Sequence, residues 1–177
     1  MSDDDRIADA AGRTPAVLRN DEDWAYFQAE LDRSAVTVLG RLGHEANPNP
    51  RRRPRIVVSS SSAGLERRDD GWWWNPQALA WREAIARVLP AGGRVAVPGG
   101  RRVFDLFLEI GYDTFHLSRA EGARIPGGVA LFSLCDEGLS AEGVLSRRGM
   151  TAGPRQVLDP ATPVSLAVWR RPGETDL

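Results

Sequence analysis

Short apolar runs separated by segments of helical period constrain this chain most. That alternation builds a largely parallel sheet with helices packed against it. The runs are "AVTVLG" (35–40), "RIVVSSS" (55–61), "RVAVPGG" (94–100), "DTFHLSRA" (113–120) and "VSLAVWRR" (164–171). Helices are predicted at 20–34, 76–90 and 101–111. In the first, Trp24, Phe27 and Leu31 share a face, Asn20 or Asp21 is placed to cap, and acids crowd the opening turn. Residues 1–20 and 63–71 are predicted as loop, "WWWNP" (72–76) as a short edge strand, and 172–177 as a flexible tail. Past "IPGGVALF" the pattern weakens until the last strand, which is predicted to pair antiparallel at an edge. A length of 177 residues suits one domain, 1–177.

Composition narrows the function classes. Hydrophobic residues make up 42% of the chain and charged residues 27%, as in ordinary globular proteins. No apolar run approaches the roughly 18–20 residues needed to span a bilayer, and the acidic N-terminus lacks the apolar core of a secretory signal. The single cysteine, Cys135, cannot form an internal disulfide, so a cytoplasmic setting is predicted. A net charge of -1 gives no electrostatic footprint for nucleic acid. His44 and His116 lack metal-ligand spacing, and no metal is predicted. All 23 basic residues are arginine, whose planar fork grips phosphate and carboxylate in bidentate fashion. "RRRPR" (51–55) reads as a solvated loop or an anion contact. "WWW" (72–74) reads as a packing strand, a dimer contact or a stacking surface.

In open α/β sheets, ligands bind beyond the carboxyl ends of the strands. Those ends read "LGR" (39–41), "VSSS" (58–61), "PGGRR" (98–102) and "LSR" (117–119). Gly99 and Gly100 leave bare amides where a strand opens a helix, a natural anion seat. Arg101 and Arg102 then place cations at the positive end of that helix, which is unfavourable unless an anion is bound. A plain tight turn with both arginines in water is the competing explanation. Gly40-Arg41 and Ser59-Ser60 invite the same two interpretations.

Taken in order, these segments resemble the dihydrofolate reductase-like family, which includes dihydrofolate reductases and the reductase domains of riboflavin synthesis. "VTVLGRLGHE" (36–45) is similar to the family's strand and Gly-Arg-x-Thr-x-Glu. "RPRIVVSSS" is similar to its Arg-rich turn, strand and paired serines, and "VAVPGGRRVFDLFL" (95–108) to its strand, Gly-Gly, Arg and helix. "YDTFHLSR" (112–119) and "SLAVWRR" resemble two later strands. The resemblance implies a three-layer α/β fold with a mostly parallel central sheet and an antiparallel C-terminal edge strand.

The resemblance also implies an NADPH-dependent reductase of a pterin, folate or related nitrogen heterocycle. Gly40, Arg41, Gly43, Ser59, Ser60, Gly99, Gly100, Arg101, Arg102 and Val103 would bind the cofactor. Asp23 would be the catalytic carboxylate, with Asp21 and Glu22 as adjacent rivals. Phe27, Arg53 and Ser118 would lie on the substrate side. In the family the Gly-Gly bond is cis, so a cis peptide is expected between Gly99 and Gly100. Gly43 departs from the pattern, standing where the family has threonine. No counterpart of the family's first strand precedes the loop-like "DDDRIAD" (3–9). The expectation is either an upstream start codon or a shortened relative that binds nucleotide without turnover. Partners are expected to be small molecules, with monomer and homodimer both open.

Overall fold

The computed structural model describes residues 1–173. In chain order these form β1 (Arg6–Ala8), α1 (Asp21–Asp32), β2 (Val36–Gly40), α2 (Arg41–Ala46), β3 (Arg55–Val58), β4 (Leu65–Arg68), β5 (Gly71–Trp74), α3 (Trp81–Val88), β6 (Val95–Gly99), α4 (Arg101–Ile110), β7 (Thr114–Ala120), β8 (Val129–Ala130), α5 (Ala141–Arg147), β9 (Thr151–Ala152), β10 (Gln156–Asp159) and β11 (Val164–Arg170), with 3-10 turns at Ala16–Leu18 and Ser133–Cys135. The tail expected at 172–177 lies, from residue 174 onward, outside the described residues. Two compact units emerge. One comprises residues 1–26 and 105–177, the other residues 27–104.

The second unit is built on a five-stranded sheet of order β4-β5-β3-β2-β6. β5, β3, β2 and β6 run parallel, and β4 closes the edge antiparallel to β5. Val36, Val38, Ile56, Val57 and Trp74 are fully buried, as expected of parallel strands covered on both faces. The predicted strands and helices in this stretch are present, with three differences. Residues 65–68, predicted as loop, form β4. Their charged sequence "LERR" is what an exposed edge strand carries to discourage further pairing. As a result β5 is internal, not an edge, between β4 and β3. The guanidinium of Arg67 lies 5.6 Å from the ring of Trp72, and that of Arg68 lies 4.2 Å from the ring of Trp73. Finally, α3 starts at Trp81, later than predicted. The indole N–H of Trp74 donates to the Leu79 carbonyl at 2.8 Å, which holds the preceding residues as a wrap around that ring.

The first unit holds a sheet of order β10-β11-β7, all antiparallel, with β9 also on β11, and a small β1-β8 pair. β11 is therefore flanked on both sides and is not the edge strand that was expected. The strands that cover it, "TA" and "QVLD", are too short and too polar to announce themselves by periodicity. Phe115 lies at the centre of an aromatic cluster, 5.1 Å from Tyr112 and 5.4 Å from Phe132 between ring centroids. Burial raises the pKa of the Tyr112 phenol.

Residues 1–20, expected to be loop, contribute β1 and an ordered acidic segment. Its three aspartates each cap a different backbone amide. Asp3 accepts from Gly122 at 2.8 Å, Asp4 from Ile125 at 3.0 Å and Asp5 from Ala141 at 3.2 Å. Asp5 also pairs with Arg119 at 3.0 Å, and Arg119 reaches Glu142 at 2.5 Å and the Ser2 carbonyl at 2.8 Å. Asp5 is 9% exposed, so its charge is sustained by Arg119.

Trp74→Ala should lower stability by about 3–5 kcal/mol, since it removes the largest fully buried side chain and orphans the Leu79 carbonyl. Reversible denaturant unfolding measures this. A loss under about 1 kcal/mol would mean that the indole is not a core element.

Candidate functional site

The candidate site grows from strand register in the second unit. β2 pairs with β3 so that Gly40 lies opposite Val58, and with β6 so that Leu39 lies opposite Gly99. Three parallel strands therefore end level, side by side. The residues that follow them, Arg41, Ser59-Ser60 and Gly100-Arg101-Arg102, lie at the same end of one sheet. No single segment requires this convergence; the register of two strand pairs produces it.

Gly99 and Gly100 have φ of +125° and +85°, both in the region that glycine alone enters freely. A Cβ on Gly99 would come within 2.7 Å of the Phe104 ring, so this position excludes a side chain. A Cβ on Gly100 would meet nothing within 4 Å, so its backbone faces open space. The Gly100 carbonyl accepts from the amides of Val103 (2.8 Å) and Phe104 (3.0 Å), which makes it the cap of α4. The peptide between Gly99 and Gly100, expected to be cis, is trans, and no described peptide bond is cis. Two successive positive φ angles make the turn instead.

The flanking side chains differ in what holds them. Gly40 caps α2 in extended geometry, and Val103 packs against it, its Cγ2 3.4 Å from where a Gly40 Cβ would stand. Val103 is 4% exposed and its amide is used within α4, so it supports the turn from beneath. Arg41 is ion-paired with Glu45 one turn along α2, at 2.9 and 3.2 Å, with both side chains about half exposed. The Ser59 hydroxyl lies 3.0 Å from that of Ser61. Ser62 is buried and donates to the Trp73 carbonyl at 3.1 Å, so it belongs to the fold. Ser60 and Arg102 are exposed. The Gly43 carbonyl accepts from the backbone and side chain of Asn47, closing α2.

Arg53 precedes β3 and so lies at the end of the sheet opposite the strand termini above. Its guanidinium is held by Asp32 at 2.6 Å and by the Gln28 side chain at 2.8 Å, both on α1. That hydrogen bond, together with Arg51, holds the Asp32 carboxyl below the usual carboxylate range. Phe27 sits on α1, half-buried.

Asp23 and Ser118 belong to the first unit. Asn20 proves to be the cap of α1, its side-chain oxygen accepting from the amides of Glu22 (3.1 Å) and Asp23 (3.0 Å). Asp23 is half-buried on the first turn, whereas Asp21 and Glu22 are exposed. Ser118 is on β7, opposite Leu166. One turn beyond Asp23, the Tyr26 hydroxyl lies 2.5 Å from Nδ1 of His116, two residues before Ser118 on the same face of β7. The sequence did not single out this pair, because neither residue carries a motif. The Arg41–Glu45 pair was missed as well, although its i,i+4 spacing was readable. Among the described residues no group of three His, Cys, Asp or Glu could hold a metal, and no helix is long and apolar enough to cross a membrane.

No protein-family model matches the sequence, and comparison with curated proteins returns no match. Solved structures do match. One is described as a candidate riboflavin biosynthesis protein from Shewanella sp. PV-4. It is 20% identical with a TM-score of 0.65, and the match covers 97% of this chain and 94% of that one. Another is a diaminohydroxyphosphoribosylaminopyrimidine deaminase/5-amino-6-(5-phosphoribosylamino)uracil reductase from Thermotoga maritima. It is 17% identical with a TM-score of 0.62, and covers 96% of this chain. The chain spans 54% of that longer protein. With its mostly parallel sheet and antiparallel flanking strands, the chain has the dihydrofolate reductase-like α/β fold.

Proposed function

We propose that the protein is an NADPH-dependent reductase of a pterin, folate or related nitrogen heterocycle. One observation carries this: the level endings of β3, β2 and β6, which gather bare glycine backbone, serine hydroxyls and arginines at one end of a sheet. That donor set fits the phosphates of a nucleotide. Gly100 faces open space with no side chain in the way, and the exposed Arg102 stands at the positive end of α4, where a bound anion makes its charge favourable. The names of the two similar structures, a riboflavin biosynthesis protein and a deaminase/5-amino-6-(5-phosphoribosylamino)uracil reductase, support the substrate class.

Gly40, Gly99 and Gly100 would receive the diphosphate on backbone amides, and Arg41, Ser59, Ser60 and Arg102 the 2′-phosphate. When bound, the dihydronicotinamide supplies a hydride to a C=N or C=O carbon. Asp23 would hold the heterocycle by its N–H groups, and the proton for the adjacent nitrogen or oxygen would come from solvent, through the Asp23 carboxyl once protonated or through a water bound there, with Ser118 steadying the ring. Arg41 must leave Glu45 to reach a phosphate. A half-exposed surface pair contributes only about 0–1 kcal/mol, so the exchange is nearly free.

Decrease of NADPH absorbance with dihydrofolate, or with 5-amino-6-(5-phosphoribosylamino)uracil, tests the reading. Consumption is expected with one of them. Tight NADPH binding without consumption would instead point to a nucleotide-binding protein that lacks turnover, and absence of binding would remove both readings. Arg102→Ala should weaken NADPH by roughly 10- to 100-fold while leaving NADH within about twofold, because a charged arginine–phosphate contact contributes about 1.5–3 kcal/mol. Glu45→Gln frees Arg41 and should tighten NADPH binding by about two- to fivefold in equilibrium titration. Weaker binding in that variant would show that Arg41 does not face the phosphate.

A further inference from the structure

Several sequence features with no place in the cradle converge on one histidine of the second unit. His44 lies on α2, three residues after Arg41, and its side chain is 11% exposed. Its Nδ1 is 3.1 Å from Nη1 of Arg55, the last arginine of "RRRPR", and its Nε2 is 2.8 Å from a carboxylate oxygen of Asp70. Arginine has only donors, so Nδ1 accepts and the Nε2–H donates to Asp70. The two neighbours together select one neutral tautomer.

Each partner is anchored in turn. Asp70 accepts a second bond from the indole N–H of Trp73 at 2.9 Å. The Trp73 and His44 contacts hold its carboxyl below the usual range. The Trp73 ring meets the imidazole edge-on at 5.9 Å. Arg55 also donates to the Asn47 carbonyl at the end of α2, at 2.9 Å, and burial lowers its pKa. The other charges around this group are Arg68 stacked on Trp73, Arg53 acting on Arg55, and the Arg41–Glu45 pair on α2 itself. α2 is six residues long and has no side-chain cap at its start, so it cannot hold its own position. Arg55 ties it to β3, and Asp70 ties it to the β4–β5 turn.

We infer that His44 is a positioning residue for the phosphate cradle: its neutral imidazole, clamped between Arg55 and Asp70, holds α2 in place and with it Arg41, on its first turn, beside the ends of β3 and β6. This rests on the nucleotide reading above.

Calorimetric titration of the full chain with NADP⁺ tests this, at a temperature where circular dichroism shows each variant fully folded, so that lost stability alone leaves Kd unchanged. His44→Ala should raise Kd by about tenfold, the effect of one lost hydrogen bond to a charged group. His44→Gln should stay within about twofold, since its amide oxygen can accept from Arg55 and its NH₂ can donate to Asp70. If His44→Ala does not fold, Asp70→Asn should raise Kd by about threefold. Equal Kd values across the parent and these variants overturn the positioning role alone. Absence of NADP⁺ binding by the parent removes the nucleotide reading and this inference with it.

Discussion

The register of β2 against its two parallel neighbours is the constraint on which the candidate site depends. Gly40 opposite Val58 and Leu39 opposite Gly99 bring three chain reversals to a common level. Slippage by one residue would exchange the side chains that Val36, Val38, Ile56 and Val57 present to the two covering layers and carry the loops out of line. The register that buries the core is therefore the register that assembles the cradle. Fold and site share one determinant: the apolar strands fix where the polar loops begin.

Arginine does two jobs in this chain, and the sequence alone does not sort them. Arg53, its side chain 17% exposed, is bound to Asp32, Arg55 to His44 and the Asn47 carbonyl, and Arg119 to Asp5 and Glu142. Those arginines hold elements together, and Arg53, expected on the substrate side, is among them. Arg41 is intermediate, occupied by a half-exposed glutamate that water screens. Arg102 is exposed at the mouth of α4. The Arg119–Asp5 pair is buried on both sides, and withdrawing that guanidinium would leave the carboxylate without compensation. Only the exposed and loosely paired arginines are therefore ready to meet a ligand.

Much of the second unit was legible because its strands are continuous apolar runs and its helices carry a clear period. Val36 to Leu39 and Ile56-Val57 could only be buried, and Gly99-Gly100 could only be a turn. Less legible were elements whose stability comes from partners remote in sequence. β4 reads as charged loop because an edge strand must repel further strands, and β9 and β10 are held by β11 and not by their own pattern. The acidic run Asp3 to Asp5 looked like solvated loop, yet each carboxylate has a specific amide to cap. The trans geometry at Gly99-Gly100 could not be inferred from residue types. Of the expected site residues, the structure sets Gly40, Arg41, Ser59, Ser60, Gly99, Gly100 and Arg102 around three adjacent strand ends. It places Arg53 at the far end of the sheet and buries Val103 beneath the turn.

Amide chemical-shift mapping of the full chain titrated with NADP⁺ tests the central claim most directly, because it reads location and requires no substrate. The largest shifts are predicted at Gly40-Arg41, Ser59-Ser60 and Gly99 to Arg102, saturating together with a single Kd. Saturating shifts clustered elsewhere, or none at millimolar nucleotide, would contradict the assignment of these strand ends as a phosphate cradle.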